Sequence, residues 1–138
     1  MDSQLYFEIQ QFYAHQMQSL DNGEAEAFAE TFTLDGSFVH HPHNRVDTRT
    51  EIALATKRGV EKTRAAGVVR RHWFGMLAVE AAEDGAVRTR YAALTSATAA
   101  DGSVSWEPSC LVEDLLVRVD GRLLNHVRTV RRDDVREA

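Results

Sequence analysis

Three Asp-Gly pairs, in "EDGA", "ADGS" and "VDGR", punctuate the second half of this chain. Asp-Gly tolerates the positive φ angles of a tight two-residue turn, so between extended runs it is among the strongest short-range hairpin signals. The runs it separates, 69–80, 86–98, 104–119 and 122–132, are rich in Val, Leu, Thr and aromatic residues. They predict long strands in an antiparallel meander.

The first half has helical spacing. Leu5, Ile9, Phe12, Tyr13, Met17 and Leu20 recur at three and four residues and form one apolar stripe. "LDNGEAEAF" breaks that helix, and Asp21 followed by Glu24 has the capping-box pattern that would start another. Ala25, Phe28, Ala29 and Phe32 continue the stripe on it. "TLDGSFVHHPHN" reads as a turn, a short strand and a loop, with Pro42 ending the strand. A third helix is expected from about Thr50 to Ala66, closed by Gly67. The fold class is therefore α+β: three helices on one face of a strongly curved, mostly antiparallel sheet, which together can enclose a pocket.

At 138 residues the chain is one domain's worth of sequence, with ordinary apolar (43%) and charged (27%) content. The net charge of -5 and the absence of a basic run argue against nucleic acid as a partner. Asp133, Asp134 and Glu137 offset the C-terminal arginines, which reads as a solvated tail. The single cysteine, Cys110, excludes an intramolecular disulfide and a Cys-rich zinc site. No run is long enough for a membrane span, and "MDSQLYFEIQ" has no basic-then-apolar leader pattern, so a cytoplasmic protein is expected.

Within "VVRRHWFGML", alternation puts His72 on a face with Phe74, Met76 and Ala78, and Trp73, Leu77 and Val79 on the other. Both faces look buried. His72 is then either a core histidine satisfied by a neighbour or a general base in a pocket. Asp21 is either the helix cap or a carboxylate that orients an imidazole. In "LLNHVRTVRR", alternation groups Leu124, His126, Arg128 and Val130. An inward arginine is costly unless paired, and there it could meet a developing oxyanion; outward it is a solvated charge. His40, His41 and His43, with Asp47, raise the question of a metal, but His40 and His41 point to opposite faces, so no metal site is expected and His40 reads as pocket lining. Tyr13, Phe38, Phe74, Met76, Tyr91 and Trp106 are core residues, some of which would line a cavity.

The segments "QSLDNGEAEAFAETFTLDGSF", "RRHWFGMLAV" and "LVEDLLVRVDGRLLNHVRTVRRD" resemble the nuclear transport factor 2-like cone fold, specifically its SnoaL-like group. Scytalone dehydratase, the lindane dehydrochlorinase and polyketide cyclases belong there. The resemblance implies one cone-shaped α+β barrel domain over 1–138. It implies His72 as base, Asp21 as its orienting carboxylate, Arg128 as the group that handles negative charge, and Phe38 as the first-strand aromatic. Tyr13 is similar to a tyrosine that positions water in the dehydratase. Arg128 or His126 would stabilise an enolate.

The expected activity is that of a small-molecule lyase, cyclase or isomerase of secondary metabolism acting on an aromatic or polyketide-like substrate. No cofactor is expected, because the substrate's own carbonyl acidifies the carbon. The expected partner beyond substrate is a second copy, through outward apolar positions such as Leu94, Cys110 and Val112. A different class, a non-catalytic binding or assembly module such as the small subunit of a ring-hydroxylating dioxygenase, also uses this cone, and so would an accessory protein that only binds a polyketide intermediate.

Overall fold

A computed structural model describes residues 2–135; Glu137 lies outside the described residues. Helix α1 spans Ser3–Asp21, α2 Ala25–Ala29 and α3 Arg49–Ala65. The strands are β1 Phe32–His41, β2 Asn44–Asp47, β3 Val69–Ala81, β4 Val87–Thr98, β5 Val104–Trp106, β6 Cys110–Val119 and β7 Arg122–Arg132. The sheet runs β2-β1-β7-β6-β4-β3, with β5 added beside β4. β1 pairs with β7 in parallel and the other pairs are antiparallel. This is the expected α+β architecture of helices on a mostly antiparallel sheet, but the sheet stays open between β2 and β3 and is not a closed barrel.

The turn chemistry accounts for the meander. Asp84 and Gly85 both have positive φ (56° and 75°), as do Asp120 and Gly121 (51° and 79°). That is the mirror-image turn that suits the right-handed strand twist. At the remaining pair only Gly102 is left-handed (φ 88°). The Asp35-Gly36 pair, expected as a turn, lies inside β1, whose register on β7 shifts between Phe32 and Ser37. The expected strand 104–119 divides at Pro108, which has no N–H to give the sheet. β5 and β6 instead pair with successive stretches of β4.

Glycine also ends the two long helices. Gly67 (φ 67°) donates to the Arg64 carbonyl while Val68 donates to that of Thr63. Gly23 (φ 77°) donates to the Leu20 carbonyl while Glu24 donates to that of Ser19. Both are the paired C-terminal bonds that a left-handed residue permits. Asp21 is therefore the last residue of α1 and not the cap of α2, whose N-cap Glu24 makes no side-chain bond.

Two β-bulges reverse the expected faces. β3 carries an extra residue between Gly75 and Ala78, with Met76 left-handed (φ 57°). Beyond it Leu77 and Val79 turn inward onto the core, while Met76 is 90% exposed. β7 carries its extra residue between Asn125 and Val127, opposite Leu115 and Leu116. Asn125 and Arg128 therefore both point inward and are buried, and His126 points outward. A bulge opposes two residues to one, so strict alternation fails across it.

The main core gathers Ile9 and Tyr13 of α1 against Val87, Tyr91, Val112, Leu116 and Leu123 of the sheet. A second cluster, Phe28, Ala29, Phe32 and Ile52, ties α2 and α3 to the start of β1. Each fully buried Ile, Leu or Phe contributes about 1.5–3 kcal/mol. Asn125 is fully buried with no hydrogen-bond partner for either amide atom.

Candidate active site

Asp21 and His72 meet. His72 Nδ1 lies 2.6 Å from Asp21 Oδ1, and the backbone N–H of His72 donates to the same carboxylate at 3.2 and 3.3 Å. β3 is an edge strand, so this N–H faces away from β4 and needs a partner. A carboxylate in the last turn of a helix opposes the negative end of the helix dipole. The donors of His72 compensate for that placement. An ionised carboxylate only accepts, so Nδ1 carries the proton and the Nε2 lone pair is free to take one. The Asp21 side chain is 8% exposed and that of His72 is 23% exposed.

His72 stands where two cavities adjoin. The smaller, about 250 Å³, has an aromatic wall of Tyr13, Phe74 and Tyr91, whose ring centroids lie 5.0–5.4 Å apart. The larger, about 430 Å³, opens between α3 and the end of α1. Leu20, Phe38, His40, Arg70 and His72 line both. Among the residues expected in the site, Tyr13, Phe38, His40, Phe74, Tyr91 and Arg128 thus stand on cavity walls with His72. Three do not. Met76 is turned out by the bulge, and Trp106 is 58% exposed on β5. His126 sits in a separate outer cleft, its Nδ1 2.8 Å from Thr33 Oγ1. Leu94, Cys110 and Val112, expected to face outward, all border the smaller cavity, and of the three only Leu94 is also exposed (37%).

Arg128 is inward and paired through Nε and Nη2. Its Nε and Nη2 each donate to Asp114 at 3.0 Å, and Nη2 also donates to Gln16 Oε1. Tyr13 and Tyr91 donate their hydroxyls to Asp114 Oδ2 at 2.7 and 3.1 Å. Gln16 Nε2 donates to Thr31 Oγ1 at 2.8 Å, which anchors the cluster to the start of β1. Burial, then the nearby Asp114 charge, holds the Tyr13 phenol far above its ordinary value. Burial does the same to Tyr91. Both are donors that keep their protons. The Tyr13 hydroxyl is engaged by Asp114 and Thr89, not turned to a water in the cavity.

His40 stacks on Phe38 at 4.8 Å between centroids. Burial, with Arg132 and Arg128, lowers the proton affinity of its imidazole. It is a neutral wall group at neutral pH. Among the described residues no group of three His, Cys, Asp or Glu is placed to hold a metal ion, and no helix is long and apolar enough to cross a membrane.

Asp114 and Gln16 escape a search for reactive motifs, yet both carry a signal. Asp114 alternates with inward Val112 and Leu116, and Gln16 follows buried Ile9 and Tyr13 at helical spacing. A polar group on an apolar face needs a buried partner.

An open α+β cone with a His–carboxylate pair at an apolar hollow is a nuclear transport factor 2-like fold. Within that class the chain belongs to the SnoaL-like domain family, which matches residues 2–129. ActVI-ORFA from Streptomyces coelicolor is 39% identical, with 99% of this chain and 100% of that one covered and a TM-score of 0.91. A Catenulispora acidiphila protein in complex with S-DNPA is 40% identical, with 96% of each chain covered and a TM-score of 0.84. The beta subunit of a putative aromatic-ring-hydroxylating dioxygenase from Novosphingobium aromaticivorans is 20% identical, with 99% and 94% covered and a TM-score of 0.78, and shares the fold alone. Among curated proteins none matches the chain.

Proposed function

We propose that this protein is a lyase, cyclase or isomerase of small-molecule metabolism that uses His72 as a general base on a carbon acid. The observation that carries the reading is the 2.6 Å contact from His72 Nδ1 to Asp21 at the junction of two cavities. Nε2 takes a proton from a carbon beside a carbonyl, and the C–H electron pair passes into an enolate. If a hydroxyl stands β to the carbonyl, the pair returns to form C=C, the C–O bond breaks, and the proton on Nε2 leaves with the hydroxyl as water. If a second carbonyl carbon stands within reach instead, the enolate carbon bonds to it and closes a ring, the C=O π pair moves onto its oxygen, and that oxygen takes the proton from Nε2. Reprotonation at another carbon shifts the double bond. Asp21 holds the ring orientation and offsets the imidazolium charge as it forms. Such proton transfer contributes about 10²- to 10⁴-fold.

Arg128 contributes less directly than the resemblance implies. Asp114 neutralises most of its field, and only Nη1 lies outside the bonds to Asp114 and Gln16, so support of the enolate falls to that nitrogen. The substrate class is aromatic or polyketide-like. The support is the aromatic wall, the resemblance to the polyketide cyclases of the group, and the small molecule S-DNPA bound by a 40%-identical relative. His72→Ala and Asp21→Asn should each abolish turnover of such a substrate in a protein that stays folded by circular dichroism. Full activity in either variant would remove the pair from the mechanism. Absence of turnover by the native protein would favour the non-catalytic binding module.

The partner we propose is a second copy. Trp73, Leu94, Val69, Val104 and Trp106 lie at paired register on one face of β3, β4 and β5, and all are exposed. Water-exposed apolar strips of this kind mark protein contacts.

A further inference from the structure

Four arginines line the joined cavities: Arg64, Arg70, Arg128 and Arg132. Three of them are matched by carboxylates in two-pronged contacts. Arg70 takes Glu107 at 2.7 and 2.8 Å, Arg128 takes Asp114 at 3.0 Å, and Arg132 takes Asp134 at 2.9 and 2.6 Å. Arg64 is different. Its contact among the described residues is one long bond from Nη2 to the Asn22 carbonyl, at 3.4 Å. Its guanidinium lies in a notch over Gly23, where an added Cβ would come within 2.4 Å of Nη2 and 3.0 Å of Cζ. Glycine suits the φ of 77° there, and the guanidinium rests against it. The seat holds a permanent positive charge at the rim of the larger cavity, next in the chain to Asp21 and beside apolar wall residues such as Val60, Ile52 and Phe38.

We propose that the larger cavity takes an aromatic acid, and that Arg64 is the specificity-determining residue that receives its carboxylate. A guanidinium fork fits a carboxylate with two parallel N–H donors. The ring system would lie against the apolar wall. The inference rests on reading the hollow as a small-molecule site and not on His72 acting as a base. Its test is therefore a binding measurement, which a failure of catalysis leaves untouched.

The probes are 2-naphthylacetate and its neutral counterpart 2-naphthylacetamide, titrated into the intact protein by calorimetry at low salt. The native protein should bind the acid about fivefold tighter than the amide, the upper range for a rim ion pair. That preference should shrink as salt is added. Arg64→Gln should bring the acid to the affinity of the amide and leave the amide unchanged. Arg64→Lys should keep part of the preference. An unchanged acid-to-amide ratio in Arg64→Gln would overturn the proposal, and would leave Arg64 as a helix-end cation latching α3 to α1. Failure of the native protein to bind either probe would overturn it as well.

Discussion

Arg128 and Asp114 form a closed fork inside the sheet, at 3.0 Å on both prongs, with side-chain exposures of 4% and 0%. The pair spans β7 and β6 at directly opposed positions. Removing one partner strands the other charge in the core, which costs about 3–5 kcal/mol. Arg128→Met or Asp114→Leu should each lower the unfolding free energy by that much in denaturant melts, and the double variant should recover most of the loss. A single variant as stable as the native protein would contradict the buried pairing.

Asn125 presents the opposite situation. Its amide is buried and has no partner among the described residues. An unsatisfied buried polar group costs about 1–3 kcal/mol. Asn125→Leu, of similar volume, should raise the urea midpoint; a lower midpoint would show that the amide has a role in the folded protein.

His40 links stability to pH. Its folded-state proton affinity is lowered, by burial and then by Arg132 and Arg128, so the unfolded chain takes the proton first as pH falls. The contribution is complete above about pH 6.5 and is lost as pH drops through the folded value. As a whole residue His40 keeps contact with solvent, which screens the effect and keeps it small. Urea melts across that range should show a shallower pH slope for His40→Phe. An identical slope would assign the dependence elsewhere.

The outer strip of β3, β4 and β5 should hold two copies together. Trp73→Glu combined with Trp106→Glu should sediment as a monomer, while the native protein sediments as a dimer. A native monomer would remove this interface.

Much of this was legible in the residues, and the misreadings have a common origin. Asp-Gly turns predicted the meander because two of the pairs need positive φ at both positions. The aromatic core and the helix ends followed from period and glycine placement. Alternation, however, is a local rule, and the left-handed Met76 and the extra residue at His126 each shift it by one. These bulges moved Met76 and His126 out of the expected site. The parallel β1–β7 pair and the Arg128–Asp114 fork are long-range contacts with no spacing signature. Asp21 and His72 were candidates by residue type and placement, and their pairing came from a family resemblance. The capping-box pattern at Asp21 pointed to a local role, and the helix end at Gly23 took precedence over it.

The central claim is that His72, held by Asp21, removes a proton from carbon. The direct measurement is exchange of a carbon-bound proton of an aromatic β-keto probe with D₂O, followed by NMR in native, His72→Ala and Asp21→Asn proteins. Native protein should accelerate exchange at one carbon, and both variants should lose about 10²- to 10⁴-fold of that acceleration. Exchange at the native rate in either variant, with the fold intact, would contradict the account.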